Sequence, residues 1–240
     1  MSDRSPEALM RLRQRVAALE APDCHGRPAV LSLGVAVIDA ALPWGGLPLG
    51  ALHEVAATND ADDGAAVGFA VLLLGHLAVG QDKPVLWVSD RDDLYAPGLA
   101  ALGLPADRLM VARPGRGVRA LWAMEEGLRC RGLAGVAGDA WGLDPTAARR
   151  LQLAARDSGV TALLLNHGAG SSSALTRWRV DPAPSVAMIG GERFWRWRVS
   201  LSHCRGRGSD ETGSVSAWLV EWHDEAHRLR LAAVAGERSA

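Results

Sequence analysis

Residues 33–50 read LGVAVIDAALPWGGLPLG, and this stretch decides the fold. Gly45-Gly46 and Pro48-Leu49-Gly50 make two tight turns in quick succession. Residues 51–56, which follow, read as the core strand they feed. Outward from it, residues 64–79 are apolar nearly all round, the pattern of a buried helix. Residues 84–88 and 108–112 read as strands, 118–129 as a helix and 133–137 as a weaker strand. Asp144-Pro145-Thr146 caps a helix that continues to about Asp157. Residues 160–165 form a strongly apolar strand. Strands and helices alternating at these lengths predict an α/β domain with a mostly parallel central sheet covered by helices on both faces.

After Asn166 the character changes. Residues 168–173 read as a flexible loop, and the stretch through Pro182 and Pro184 carries no clear element. Residues 194–203 alternate strictly, with Trp195, Trp197, Val199 and Leu201 on one face and Arg196, Arg198, Ser200 and Ser202 on the other. A long turn over 206–213 and further strands over 214–222 and 228–234 predict an antiparallel C-terminal extension of the sheet. At the other end, Ser5-Pro6-Glu7 is a helix start. Leu9, Leu12, Val16 and Leu19 follow at helical spacing, with Arg11, Arg13 and Arg15 on the opposite face. Residues 1–27 thus read as an N-terminal amphipathic helix and tether, and 28–240 as the main domain with a short tail. The helix is expected to dock on a second copy or another protein, the alternative being a fold back onto its own core.

The 240 residues, 25.3 kDa, suit one such domain with short appended ends. A net charge of −1 removes a generally basic nucleic-acid coat protein but not a local basic patch. Three cysteines, Cys24, Cys130 and Cys204, lie far apart, which excludes a disulfide framework and a compact zinc knuckle. The apolar stretch 64–79 is too short to span a bilayer, and the N-terminus lacks a signal-peptide core. The expectation is a soluble, cytoplasmic protein with no membrane contact. Of 26 basic residues one is lysine, Lys83, placed between a helix and a strand. A G-x-x-x-x-G-K-[ST] phosphate loop needs a lysine after its last glycine, so this chain has none.

The 33–50 stretch resembles the segment before the phosphate loop of RecA-type recombinases, where a small helix ending in Leu leads into a G-G-L-P-x-G turn. The resemblance runs from about Leu31 to Val234 and implies a RecA-like core. At the place of the phosphate loop this chain reads AATNDADDGAA, residues 56–66. Gly64 stands at the loop's end, Ala65 where the lysine belongs and Ala66 where the magnesium-binding hydroxyl belongs. Asp60, Asp62 and Asp63 bring carboxylates to where phosphates would lie. A helix N-terminus attracts anions, but carboxylates already in the loop occupy or repel that field. The expectation is a degenerate site, with no bound nucleotide or other cofactor. Asp139, near a Walker B position, is expected as a surface or capping aspartate. Asp90 takes no role, and Asn166-His167 stands where recombinases carry a nucleotide-sensing Asn-Gln.

These departures, with TRWRVDPAPS over 176–185 and the helix AARRLQLAA over 147–155, resemble the ImuA family. These are RecA-like proteins of bacterial damage-inducible mutagenesis, encoded with a Y-family-like subunit, ImuB, and an error-prone polymerase. The resemblance implies a non-enzymatic accessory in SOS-linked translesion synthesis, in contact with ImuB, the polymerase complex and RecA. Two rivals stay open: a damage-induced cell-division regulator, and a DNA-stimulated ATPase with a degenerate phosphate loop.

Seven arginines fall between 176 and 207, against Asp181 and Glu192. Arginine interleaved with tryptophan suits single-stranded DNA, since charge follows the backbone and an indole stacks on a base. Arg177, Trp178, Arg179, Arg196 and Arg198 are the candidate DNA- or partner-binding set. In a loop, the first three read equally as a binding patch and as packing. Strict alternation over 194–203 favours buried Trp195 and Trp197 with merely solvated Arg196 and Arg198. His223 and His227 are four apart but on a predicted turn, and Cys24-His25 is isolated, so no metal or catalytic site is expected.

Overall fold

In the computed structural model, which describes residues 28–140, 144–166, 173–185, 195–206, 216–223 and 226–232, the 33–50 stretch folds as a compact entrance to the sheet. Strand β1 (Val30–Leu31) pairs antiparallel with β2 (Leu47–Pro48), and the short helix α1 (Ala36–Ala41) lies between them. The Asp39 carboxylate fixes its approach, accepting from Ser32 Oγ at 2.6 Å and Leu33 N at 2.8 Å. Gly45 and Gly50 sit at φ +77° and +62°, where only glycine is unstrained. A Cβ on Gly50 would also stand 3.0 Å from Gly159 Cα.

These turns deliver β3 (Leu52–Ala56), all five residues of which are buried. Helix α2 (Asp63–Gln81) follows, longer at both ends than the expected 64–79. Among the described residues it is the helix long and apolar enough to cross a membrane, but 67% of its apolar window is buried in this domain, as a core helix requires. Gly75 allows its close packing: a Cβ there would lie 2.4 Å from the Gly103 carbonyl oxygen. The chain continues through β4 (Val85–Val88), α3 (Ala96–Ala101), β5 (Leu109–Ala112), α4 (Val118–Arg129), β6 (Gly135–Ala140), α5 (Pro145–Ser158) and β7 (Thr161–Asn166). Asp144 caps α5 as expected, accepting from the amides of Thr146 and Ala147 at 2.7 and 2.8 Å.

Four more strands complete the sheet: β8 (Thr176–Ala183), β9 (Trp195–Cys204), β10 (Ser216–His223) and β11 (Arg228–Leu231). The nine-stranded order is β11-β10-β9-β8-β3-β7-β6-β4-β5. Pairing is parallel from β8 to β5 and antiparallel from β8 to β11. This is the RecA-like α/β core with an antiparallel wing. One face buries Val55, Phe69, Leu72, Trp178 and Val199 around α2. The other buries Leu52, Val136 and Leu164 beneath Met124 of α4 and Leu151 of α5.

Three expectations are corrected. The stretch through Pro182 is β8, a central strand held by β3 on one side and β9 on the other. Its alternation, Thr176, Trp178 and Val180 inward against Arg177, Arg179 and Asp181, outweighs the neighbouring prolines. The weaker strand expected over 133–137 runs instead to Ala140, so Asp139 lies in β6 rather than in a capping position, where it accepts from Ser89 Oγ at 2.6 Å. Trp195, expected buried, is 44% exposed at the start of β9. The N-terminal helix, the turn over 207–213, His167 and the tail lie outside the described residues.

Candidate functional site

Residues 56–66, where the resemblance places a phosphate loop, run from the end of β3 through a short turn into α2. Asp60–Asp62 close one turn of 3-10 helix, and Asp63 opens α2. Ala65 and Ala66 turn their methyl groups into the core and are buried, while Gly64 is exposed. Thr58 anchors the loop to the neighbouring strand: its amide and hydroxyl donate to the two Asp181 oxygens at 2.7 and 2.8 Å. Asp62 accepts from Asn59 Nδ2 at 3.2 Å, and Asp63 faces Arg91 at 3.9 Å. The N-terminal end of α2 therefore meets carboxylates of its own chain, and no lysine is present to reach a phosphate. Asp90 lies beyond β4, exposed and 3.6 Å from Arg116.

The arginine candidates fall differently. β8 and β9 pair with a bulge between Arg177 and Trp178, which keeps both strands in phase. In that register Arg177 lies beside His203, Arg179 beside Ser200, Asp181 beside Arg198, and Ala183 beside Arg196. β10 adds Ala217 beside Ser200, Leu219 beside Arg198 and Glu221 beside Arg196, and β11 adds Arg230 beside Glu221. Four of the five candidates thus share one sheet face, the one that α4 and α5 cover only over β3, β4, β6 and β7.

Trp178 is not among them. It points to the opposite face, fully buried, with its ring centroid 6.0 Å from that of Phe69 and its indole N–H donating to Thr176 Oγ1 at 2.8 Å. A base cannot stack on it. Beneath it, the buried His53 contacts the same Thr176 hydroxyl at 2.7 Å and the Pro48 carbonyl at 2.8 Å. Burial pushes its imidazole down to about 4, the Pro48 contact opposing that shift.

The four arginines divide into two pairs. Arg177 donates from Nε to Glu54 at 3.1 Å, and Asn166 Nδ2 donates to the other oxygen of that carboxylate, which is 1% exposed. Arg196, expected to be merely solvated, is largely buried in an ion pair with Glu221. These two hold the sheet. Arg179 and Arg198 are exposed, and neither side chain makes a hydrogen bond or ion pair with any described residue. They sit diagonally across the β8–β9 ladder, Arg179 beside Ser200 and Arg198 between Asp181 and Leu219. Such a face suits carboxylates or phosphates, which a guanidinium grips in two-point fashion. No Trp, Tyr or Phe ring lies on it among the described residues; its rings are the imidazoles of His203 and His223. The composition of 176–198 drew attention to β8 and β9, but the periodicity that separates paired from unpaired arginine needed the elements themselves.

Among the described residues no cluster of His, Cys, Asp and Glu could hold a metal ion. His223 ends β10 and His227 lies in the turn before β11, on no helix.

No family model matches the chain. Two curated relatives do, each called Protein ImuA, from two strains of Caulobacter vibrioides, NA1000 / CB15N and ATCC 19089 / CIP 103742 / CB 15. Each is 36% identical over 214 residues, covering 82% of this chain and 85% of the relative. With that identity over nearly the full length of both proteins, the chain belongs to the ImuA family.

Proposed function

We propose that this chain is a non-catalytic accessory protein of damage-inducible, error-prone translesion synthesis in the cytoplasm. It bridges an ImuB-type Y-family-like subunit and the error-prone polymerase, and contacts RecA. The observation that carries the reading is the combination of a RecA-like core with alanines and aspartates at its phosphate loop. Such a core keeps a shape that fits recombinase partners, while the chemistry of nucleotide hydrolysis has no cation to neutralise a phosphate. The working surface is then the face carrying Arg179 and Arg198, which no described helix covers. Any single-stranded DNA that meets it is held chiefly through phosphates, since among the described residues no indole or phenyl ring accompanies the arginines.

The test is recovery of the tagged chain from DNA-damaged cells, with partners identified by mass. Wild type should bring down the Y-family-like subunit, and R179S/R198S should lose it while expressing at the same level. Recovery of cell-division proteins with no polymerase subunit refutes the reading.

A further inference from the structure

A groove of about 410 Å³ opens at the N-terminal end of α2. Val67 and Val71 of α2, Leu99 and Leu102, and Trp197 form its apolar floor. Tyr95, 70% exposed, and Trp195, 44% exposed, stand at its mouth. Large aromatics left in water beside an apolar groove of this size mark a seat for apolar side chains. The surrounding charge is negative. Asp63 and Asp93 both face the Arg91 guanidinium, at 3.9 and 2.7 Å. Asp92 is matched by Arg113. Asp60 and Asp62, on the adjoining turn, have no cation within ion-pair distance among the described residues. The occupant of such a groove is apolar on one side and basic on the other.

The chain carries a segment of that description. Residues 8–19, ALMRLRQRVAAL, hold no acid; at helical spacing Leu9, Leu12, Val16 and Leu19 share one face, Arg13 and Arg15 flank it on opposite sides, and Arg11 lies behind it. A helix of this length is marginal in water and needs a surface to fold on. Its reach fits. The described chain begins at Pro28, just before β1, at the end of the core where α2 finishes. The intervening residues 20–27 span about 28 Å when extended, matching the length of about 28 Å of the 19-residue α2.

We infer that residues 8–19 seat their Leu9, Leu12, Val16 and Leu19 side chains in this groove of the same chain, with their arginines against the aspartates of its rim. The groove is then an internal docking site rather than a vacated nucleotide pocket.

The test uses the full-length chain with p-benzoylphenylalanine in place of Leu12. Irradiation should join position 12 to Trp195 or to the peptide carrying Tyr95 and Leu99, in a product of monomer mass. The triple charge reversal R11E/R13E/R15E should cut the cross-link yield about tenfold, since three exposed charge pairs turn repulsive. Adding D60K/D62K should restore most of it. A second variant, Y95A/W195A, removes the exposed mouth without touching the core and should lower the yield comparably. Cross-links that map elsewhere, or a yield indifferent to charge reversal, overturn the inference. So does a product of dimer mass, which gives the groove to the segment of a second copy.

Discussion

Arg177→Ala should unfold this protein far more readily than Arg179→Ala, although the two arginines are neighbours on one face of β8. Arg177 is the cation beside Glu54, whose carboxylate is 1% exposed. Stripping the partner from a buried ion pair costs about 3–5 kcal/mol. Here the side chain of Arg177 is itself 28% exposed and Asn166 still donates to Glu54, so the lower end applies, about 3 kcal/mol. In a chain of this size each kcal/mol lowers the melting temperature by about 2–4 °C, giving a drop of about 6–12 °C. Arg179 makes no ion pair with a described residue, and its loss should cost less than about 0.5 kcal/mol. Thermal unfolding followed by far-ultraviolet circular dichroism reads both. Glu54→Gln in the Arg177→Ala background should recover about half the loss, because a neutral amide needs no counterion. Equal melting temperatures for the two single variants would refute the division of the arginine face into structural and free members.

Further outcomes follow from the core and the loop. His53 is pushed down to about 4 from an ordinary 6.5, so between those values the unfolded chain binds a proton that the folded chain refuses. Its contribution is complete above pH 6.5 and falls as pH drops towards 4, by about 3 kcal/mol in all. Urea midpoints at pH 7 and 4.5 should therefore differ less in His53→Gln than in wild type, and parallel slopes would count against it. Trp178→Ala should cost about 3–5 kcal/mol or prevent soluble expression, and Trp195→Ala less than about 1 kcal/mol. Isothermal calorimetry with ATP and magnesium should give no saturable heat, because Asp60, Asp62 and Asp63 crowd the N-terminal end of α2 with carboxylates. Micromolar binding abolished by a substitution at Gly64 would be the opposite result.

The parallel core was legible because its elements are long in one signal: α2 is apolar throughout, and β7 is a run of Ala162, Leu163, Leu164 and Leu165. Glycines at 45 and 50 marked turns that the backbone does make at positive φ. β8 was not legible, because Gly and Ser before it and Pro182 and Pro184 around its end are turn residues by local rules. The strand exists because β3 and β9 each supply a ladder, a tertiary cause with no local trace. Misreading that strand also misplaced Trp178, since in a loop an indole between two arginines reads as a binding ring. Trp195 was misjudged by the same alternation that placed Trp197 correctly, because periodicity gives the face of a residue and not whether a neighbour covers it. The Glu54 and Arg177 pair, 123 residues apart, joins β3 to β8 and had no signal in the sequence.

Damage-induced mutation frequency in a strain lacking this chain tests the account most directly. Wild type and a D60N/D62N variant, altered only in the turn before α2, should restore mutagenesis equally. R179S/R198S, folded but stripped of the two free guanidinium groups, should leave it at the level of the deletion. Full restoration by R179S/R198S together with failure of the loop variant would contradict a protein that acts through its open sheet face without a nucleotide.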